Sequence, residues 1–456
     1  MLKGLLRAIV FVLTVVIVFL SISISGLAHS QNQFWNSLRK DPVPSLDGLQ
    51  KPAHHSNKPT IAVLLGNEIT EGLDFTIPYQ IFSMTGAYNV YAVAEDTNVR
   101  SLSGGVDVIP HYSFKELDDL LGGHPELIVI PYMSMKDTQT FQPIRDWILK
   151  HKDTSILSIC AGSDALASTG LLDGKTGATH WQTMSLLTRK YPQVNWVEDQ
   201  RYVINDGGKM VSSAGISSGI DASLYVISQK LGEPTARKIA DELKYPSYHF
   251  VQNPKVDPFK MDMKYTTYVL NNAFQWNEKK IGVYLYNGVE EMAIASVFDI
   301  YSDTGTTRAF AISQHKQPVI SKNGLILLSR YSMENPPSVD KMIVPGKQAE
   351  ALAAEDMRKW KENGGGAPVQ FIHSGSMERF LFEIQLEDLA KEEDILTAKH
   401  AVKRLEFRAA DFQLEGKPFP VETYVCLIIT VAISLGTALL IDRRFMVRRK
   451  TTRTSG

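Results

Sequence analysis

Cysteine is nearly absent: Cys160 and Cys426 are the only two in 456 residues. Two cysteines build no disulfide framework, and the second lies in an apolar segment, so a zinc cluster is excluded as well. An excess of either charge is also missing. Lys and Arg number 48 against 49 Asp and Glu, a formal net charge of −1, so nothing electrostatic points to nucleic acid as a partner, and no helix-turn-helix pattern appears. Composition at 44% hydrophobic and 21% charged excludes wholesale disorder and gives room for two or three domains.

Both ends carry apolar runs. Ala8 to Ile24 is uncharged, preceded by Lys3 and Arg7 and followed by Gly26-Leu27-Ala28; residues 1–28 read as a cleavable signal peptide or an uncleaved anchor. Tyr424 to Ile441 is followed by Arg443, Arg444, Arg448, Arg449, Lys450 and Arg453, the pattern of a membrane helix over 424–441 with a basic cytoplasmic tail over 442–456; a buried core helix is the alternative. The positive-inside rule then puts residues 29–420 outside the cytoplasm. The expected location is the cell membrane, with the bilayer as a partner and the globular part extracytoplasmic.

Residues 29–58, with Pro42, Pro44, Pro52 and His54-His55, read as a linker, and the two histidines as linker residues rather than metal ligands. From Thr60 onward strands alternate with helices. Ile61–Leu65, Val90–Ala94, Leu127–Pro131 and Ser155–Ile159 are predicted strands; Asp74–Gly86, Phe141–His151 and Ser217–Leu231 are predicted helices. This alternation implies an α/β fold with a mainly parallel sheet covered on both faces. The run Ser155-Ile-Leu-Ser-Ile-Cys-Ala-Gly-Ser-Asp164 has the layout of a nucleophile elbow, where a strand turns sharply into a helix whose free N–H groups favour a thiolate. A buried, inert Cys160 is the competing reading. His180 follows twenty residues later, near enough in such a fold to serve as base or charge partner.

The second half echoes the first. Ile281–Tyr286 repeats the opening strand, Glu290 to Phe298 repeats Asp74 to Phe82, Ile343-Val-Pro345 repeats Ile130-Pro131, and Phe371-Ile-His-Ser-Gly375 repeats Ser158-Ile-Cys-Ala-Gly162. From the acid to the elbow the offset stays between 213 and 216, but it is 162 where Thr397–Phe407 repeats Thr235–Tyr245. About fifty residues are thus missing from the second copy, including the stretch that holds His180. With His373 at the elbow position, that copy reads as degenerate. The expected division is a domain at 59–245 with the reactive cysteine, a linker at 246–278 and a degenerate domain at 279–415.

These motifs resemble the DJ-1/PfpI family of the class I glutamine amidotransferase-like superfamily. Ser158-Ile-Cys-Ala-Gly162 is similar to the family elbow, and Gly170-Leu-Leu-Asp-Gly174 with Ala178-Thr-His-Trp181 looks like the stretch carrying its histidine. Ser213-Ala-Gly-Ile-Ser-Ser-Gly-Ile-Asp221 resembles the subgroup of isocyanide hydratases and AraC-fused sensor domains, without a DNA-binding domain. The resemblance implies a flavodoxin-like fold in two tandem copies, no cofactor and no metal, and Cys160 as nucleophile with His180 as base or orienting group. It also implies Asp74 as the acid that contacts the thiol and lowers its pKa by hydrogen bonding; Asp74 also suits a helix N-cap. Where the family usually has glycine after the strand ending at Pro131, this chain has Tyr132-Met133, so one oxyanion donor is in doubt and the Ala161 amide is left for that role. Dimers are common in the family, so a homodimer joins a small-molecule substrate or ligand among the expected partners.

The function expected from these residues is a membrane-anchored, cysteine-dependent hydratase or hydrolase acting on a small electrophile. The alternative is a non-catalytic ligand or redox sensor, or a scaffold.

Overall fold

The computed structural model describes residues 2–38, 43–46, 48–260, 262–409 and 413–451. Seven strands form the first sheet, in the order Tyr202–Asn205, Met210–Ser213, Ser155–Ile159, Leu127–Ile130, Thr60–Leu64, Asn89–Ala94, Tyr112–Ser113. All neighbours are parallel except the first pair. The inner strands, Thr60–Leu64 and Leu127–Ile130, are buried along their whole length, as the apolar runs required of strands covered on both faces. This is a flavodoxin-like α/β fold. The four inner strands start and end within one residue of the expected positions.

A second sheet, entirely parallel, runs Tyr331–Ser332, Thr307–Ser313, Lys279–Leu285, Lys341–Ile343, Val369–Gln370. Between its last strand and the helix Leu381–Glu392 there is no counterpart of residues 162–213 of the first sheet.

Seven helices shape the site and the join between the two sheets: α1 Leu2–Asn36, α2 Gly72–Met84, α3 Gly162–Ser168, α4 Met263–Phe274, α5 Glu291–Ser302, α6 Ile395–Arg404 and α7 Val421–Thr451. Every residue of α2 from Gly72 to Phe82 is buried, as is every residue of α5 from Glu291 to Tyr301. A helix apolar on all sides must be covered on all sides, and these two cover each other. Asp299 of α5 accepts from Leu73 N (2.8 Å) at the start of α2, and Gln80 of α2 accepts from Met292 N (2.9 Å) at the start of α5. Each helix thus satisfies an orphan N–H of the other. A small antiparallel sheet crosses the same junction, with Val108 opposite Leu327. The same residue shift relates 73 to 292, 80 to 299 and 108 to 327, so the contacts are reciprocal, as at a two-fold interface.

This shift corrects one expectation. Glu290 corresponds to Glu71, not to Asp74, and both glutamates are the N-caps of their helices. Asp74 therefore has Ala293 as its counterpart. Its own N-cap reading also falls, since Asp74 lies inside α2 and donates its backbone N–H to Glu71.

The two segments expected as linkers are docked. Residues 29–36 continue α1, Val43 and Leu49 pack on a small apolar cluster, and His54 reaches the Tyr91 hydroxyl at 3.2 Å. The 246–278 segment contains α4. Helices α1 and α7 are long and apolar enough to cross a membrane. They pack side by side with Arg7 paired to Asp442, which puts both basic ends at one end of the pair. Part of the basic tail, residues 452–456, lies outside the described residues.

Gln80→Ala leaves the buried Met292 N–H without its partner. Unfolding of the full chain by urea is expected to shift by about 1–3 kcal/mol, the cost of an unsatisfied buried donor, and a neutral result would mean that this junction does not hold the halves together.

Candidate functional site

Cys160 sits between the strand Ser155–Ile159 and α3 with φ 59°, one of four non-glycine residues at positive φ among those described. A left-handed residue at this turn directs the side chain out of the sheet at a cost of order 1–3 kcal/mol. Neighbouring glycines make the turn feasible. A Cβ at Gly162 would lie 2.1 Å from the Ile130 carbonyl oxygen, and one at Gly215 would lie 2.8 Å from His180 Cδ2 and 3.3 Å from Cys160 Sγ. Gly215 therefore brings the thiol and the imidazole together. At the corresponding place in the second sheet, His373 has no left-handed backbone and is buried, with Nδ1 accepting from Gly346 N at 2.9 Å.

The thiol lines a cavity of about 280 Å³ with Glu71, Tyr132, Ala161, His180, Asp299 and Arg404 in its wall. Two of these, Asp299 and Arg404, come from the second half of the chain. Arg404 donates to Glu71 at 3.3 Å and pairs with Asp303. Its main-chain oxygen lies 2.9 Å from His180 Nε2. A carbonyl only accepts, so Nε2 carries the proton and Nδ1 keeps a lone pair. Burial holds the His180 pKa down, at about 4, against the opposing pull of that carbonyl, so the ring is neutral near pH 7.

Asp74 does not reach the cavity wall. It stands behind the thiol, fully buried, with Oδ2 accepting from Tyr132 N at 3.3 Å and a side-chain hydrogen bond to the Cys160 thiol, the contact expected of it. Burial pushes its pKa well up, and Asp299 adds to this, while the Tyr132 amide and Arg404 oppose it. Glu71, which does line the cavity, is pushed well up by burial and then by Asp299 and Asp74, with Arg404 opposing. For Arg404 burial disfavours charge, but Asp303, Glu71 and Asp299 outweigh it and raise the pKa.

The thiol itself departs from expectation. Burial raises its pKa well above the ordinary value, and Asp74 and Glu71 raise it further, whereas the Ala161 amide pulls it down. A short helix terminus and one amide do not offset full desolvation beside acidic groups. The Tyr132 amide, at the position where an oxyanion donor was in doubt, is used by Asp74. Ala161 remains the amide beside the sulfur.

The arrangement joins a strained, buried thiol to a carboxyl of raised pKa and a neutral imidazole with a free lone pair. Of the residues expected at the site, Cys160, His180 and Ala161 line the cavity and Asp74 does not; Glu71, Asp299, Asp303 and Arg404 line it without having been expected. Glu71 carried a local signal, an acid three residues before Asp74 at a helix start; the other three are brought in by tertiary structure. Among the described residues no group of three or more His, Cys, Asp or Glu side chains is placed to hold a metal ion.

Residues 59–229 match the model of the DJ-1/PfpI family. Isonitrile hydratase of Pseudomonas putida is 29% identical over 178 residues, which are 38% of this chain and 73% of the hydratase. The HTH-type transcriptional regulator CdhR of Pseudomonas aeruginosa is 30% identical over 111 residues, 22% of this chain and 32% of the regulator. Among solved structures, a DJ-1 superfamily protein from Salmonella typhimurium aligns with TM-score 0.36 at 18% identity, covering 41% of this chain and 99% of that one.

Alkylation of Cys160 by iodoacetamide is expected to keep accelerating above pH 8.5, because a raised pKa keeps the thiol protonated to higher pH. In Asp74→Asn, which removes a like charge, the profile is expected to move to lower pH. A wild-type profile that levels off below pH 8 would contradict this electrostatic description.

Proposed function

We propose, for a chain whose residues 59–229 are a DJ-1/PfpI family domain, a cysteine-dependent hydratase-type activity on a small electrophilic carbon. The observation that carries the reading is Cys160 at a left-handed strand-to-helix turn on the wall of a cavity of about 280 Å³. The similarity to a protein named isonitrile hydratase suggests isonitriles as a first substrate class.

The steps balance on residues already described. Sγ bonds to the substrate carbon as the thiol proton passes to Asp74, whose raised pKa makes it a better base than an ordinary carboxylate. Glu71, whose pKa burial raises, gives a proton to the substrate. Water then adds to the thio-linked carbon and loses a proton to His180 Nδ1. The C–S bond breaks, sulfur regains its proton from Asp74, and His180 returns one to Glu71. One water has added across the multiple bond, and the enzyme is restored.

Residues 279–407 act in this reading as a degenerate tandem copy serving as a built-in partner: they have His373 and Ala293 in place of Cys160 and Asp74, but supply Arg404 and Asp299 to the first site. A second reading, a membrane-bound ligand or redox sensor, has one observation in its favour, the Tyr132 amide being engaged by Asp74. Turnover of methyl and cyclohexyl isonitrile to the formamides separates the two. In Cys160→Ala the rate is expected to fall at least 1,000-fold, the scale seen for loss of a nucleophile. His373→Asn, which keeps an acceptor for Gly346 N, is expected to stay within twofold. Absence of turnover by the wild-type protein would leave the sensor reading.

The same proposal includes anchoring by α1 and α7 with the globular part outside the cytoplasm, supported by the basic residues at one end of the helix pair. Protease added to sealed right-side-out vesicles is then expected to remove the globular part and spare an epitope placed after Gly456. Loss of the epitope without lysis would reverse the orientation.

A further inference from the structure

Cavities follow one side of α1 from its apolar run to the thiol. The outermost, about 470 Å³, is lined by Ser21, Ile22, Ser25, Gly26, His29 and Ser30. It shares Ser30, Asn272 and Glu278 with a middle cavity of about 400 Å³. The middle cavity shares Phe34, Gly104, Tyr268, Ser302 and Asp303 with the 280 Å³ cavity of Cys160. The α1 residues recur at four-residue steps, 22, 26, 30 and 34, so they form one stripe of the helix. Gly26 lies against the Ala273 carbonyl of α4 and Ser30 donates to Asn272 Oδ1 at 2.5 Å, so α1 and α4 touch along this stripe, which is about 20 Å long from 21 to 34.

The surroundings give the path its polarity. Its outer end starts within the apolar run, where Trp276 is 50% exposed beside it, as aromatic residues are at a membrane surface. In the middle cavity Arg308 faces Glu278 at 4.0 Å, Arg330 pairs with Asp107 at 2.7 Å, and Asp303 pairs with Arg404. Lys136 also lines this cavity, over the Trp35 ring at 3.7 Å, so the wall carries one cation beyond these pairs. The inner end is small, with the thiol and the neutral His180.

We propose that the Cys160 site takes an amphiphile from the bilayer, with an uncharged electrophilic head at the thiol and an apolar tail along the 22–34 stripe of α1. The proposal rests on Cys160 being reactive and α1 being membrane-embedded, and it adds the class of substrate and its route. The thiol cavity also has a water-side rim at Tyr132 and Gln182, which is the route a small soluble reagent would use.

The test uses the full chain as Cys426→Ser in phosphatidylcholine vesicles, so that Cys160 is the cysteine that reacts. N-dodecylmaleimide is expected to modify it at least tenfold faster than N-ethylmaleimide at equal total concentration, read by intact mass. Ser30→Trp and Ala309→Trp, on two walls of the middle cavity, are each expected to slow the dodecyl reagent about tenfold and to leave the ethyl reagent within twofold. Two variants on different elements guard against one of them failing to fold. Equal rates for the two reagents, or a dodecyl advantage that survives in both variants, would overturn the route while leaving the reactive thiol intact. Failure of both reagents would remove the reactive thiol and the proposal with it.

Discussion

Two helix N-termini in different halves of the chain depend on each other. Leu73 N is satisfied by Asp299 and Met292 N by Gln80, inside a junction where both helices are buried on every side. Because unpaired N–H groups in such a place cost more than most single contacts give, the relative position of the halves is held to hydrogen-bond tolerance. The site inherits that tolerance. Asp299 caps α2 and lines the thiol cavity, and α6 comes to rest with its last carbonyls on the site loop, Lys403 O accepting from Trp181 Nε1 and Arg404 O facing His180 Nε2. The imidazole tautomer in the first half is thus chosen by backbone from the second.

Charge around the thiol follows from the same junction. Glu71, Asp74, Asp299 and Asp303 gather about a single guanidinium, Arg404. One positive charge does not offset the burial of Glu71, Asp74 and Asp303, and the pKa of each stays raised. This is why the sulfur does not behave as a free helix-terminal thiolate.

Much of the fold was legible in the residues because its signals are local. Apolar runs bounded by turn residues marked the inner strands, and the step from Ile159 through Cys160 to small residues marked the elbow. The echo between Ser158–Gly162 and Phe371–Gly375 pairs His373 with Cys160. It misaligned the helices by three residues, pairing Asp74 with Glu290, because two acids stand three apart in Glu71-Gly-Leu-Asp74 and only packing tells which one caps. Burial was the other blind spot. An amide and a helix terminus can be read from sequence, but the loss of solvent that reverses their effect on Cys160 cannot. Arg404 belongs to a helix whose repeat is visible in the sequence, yet nothing local says that its guanidinium crosses into another sheet's cavity.

Helix α4 shows what a linker-like segment can do once packed. On one side Asn271 and Gln275 accept from Thr423 at the start of α7, and Phe274 meets Phe19 of α1 at 6.1 Å. On the other, Tyr268 stacks on His400 of α6 at 4.7 Å and lines the thiol cavity. About two turns of helix thus connect the apolar helices to the element that carries Arg404. A displacement of α1 or α7 relative to the globular part would pass through α4 to α6, because close-packed interiors transmit strain rather than absorb it. A symmetric pair of identical chains would have to repeat this connection on both sides. Here it is built once, between the apolar helices and the element that brings Arg404 to the Cys160 cavity.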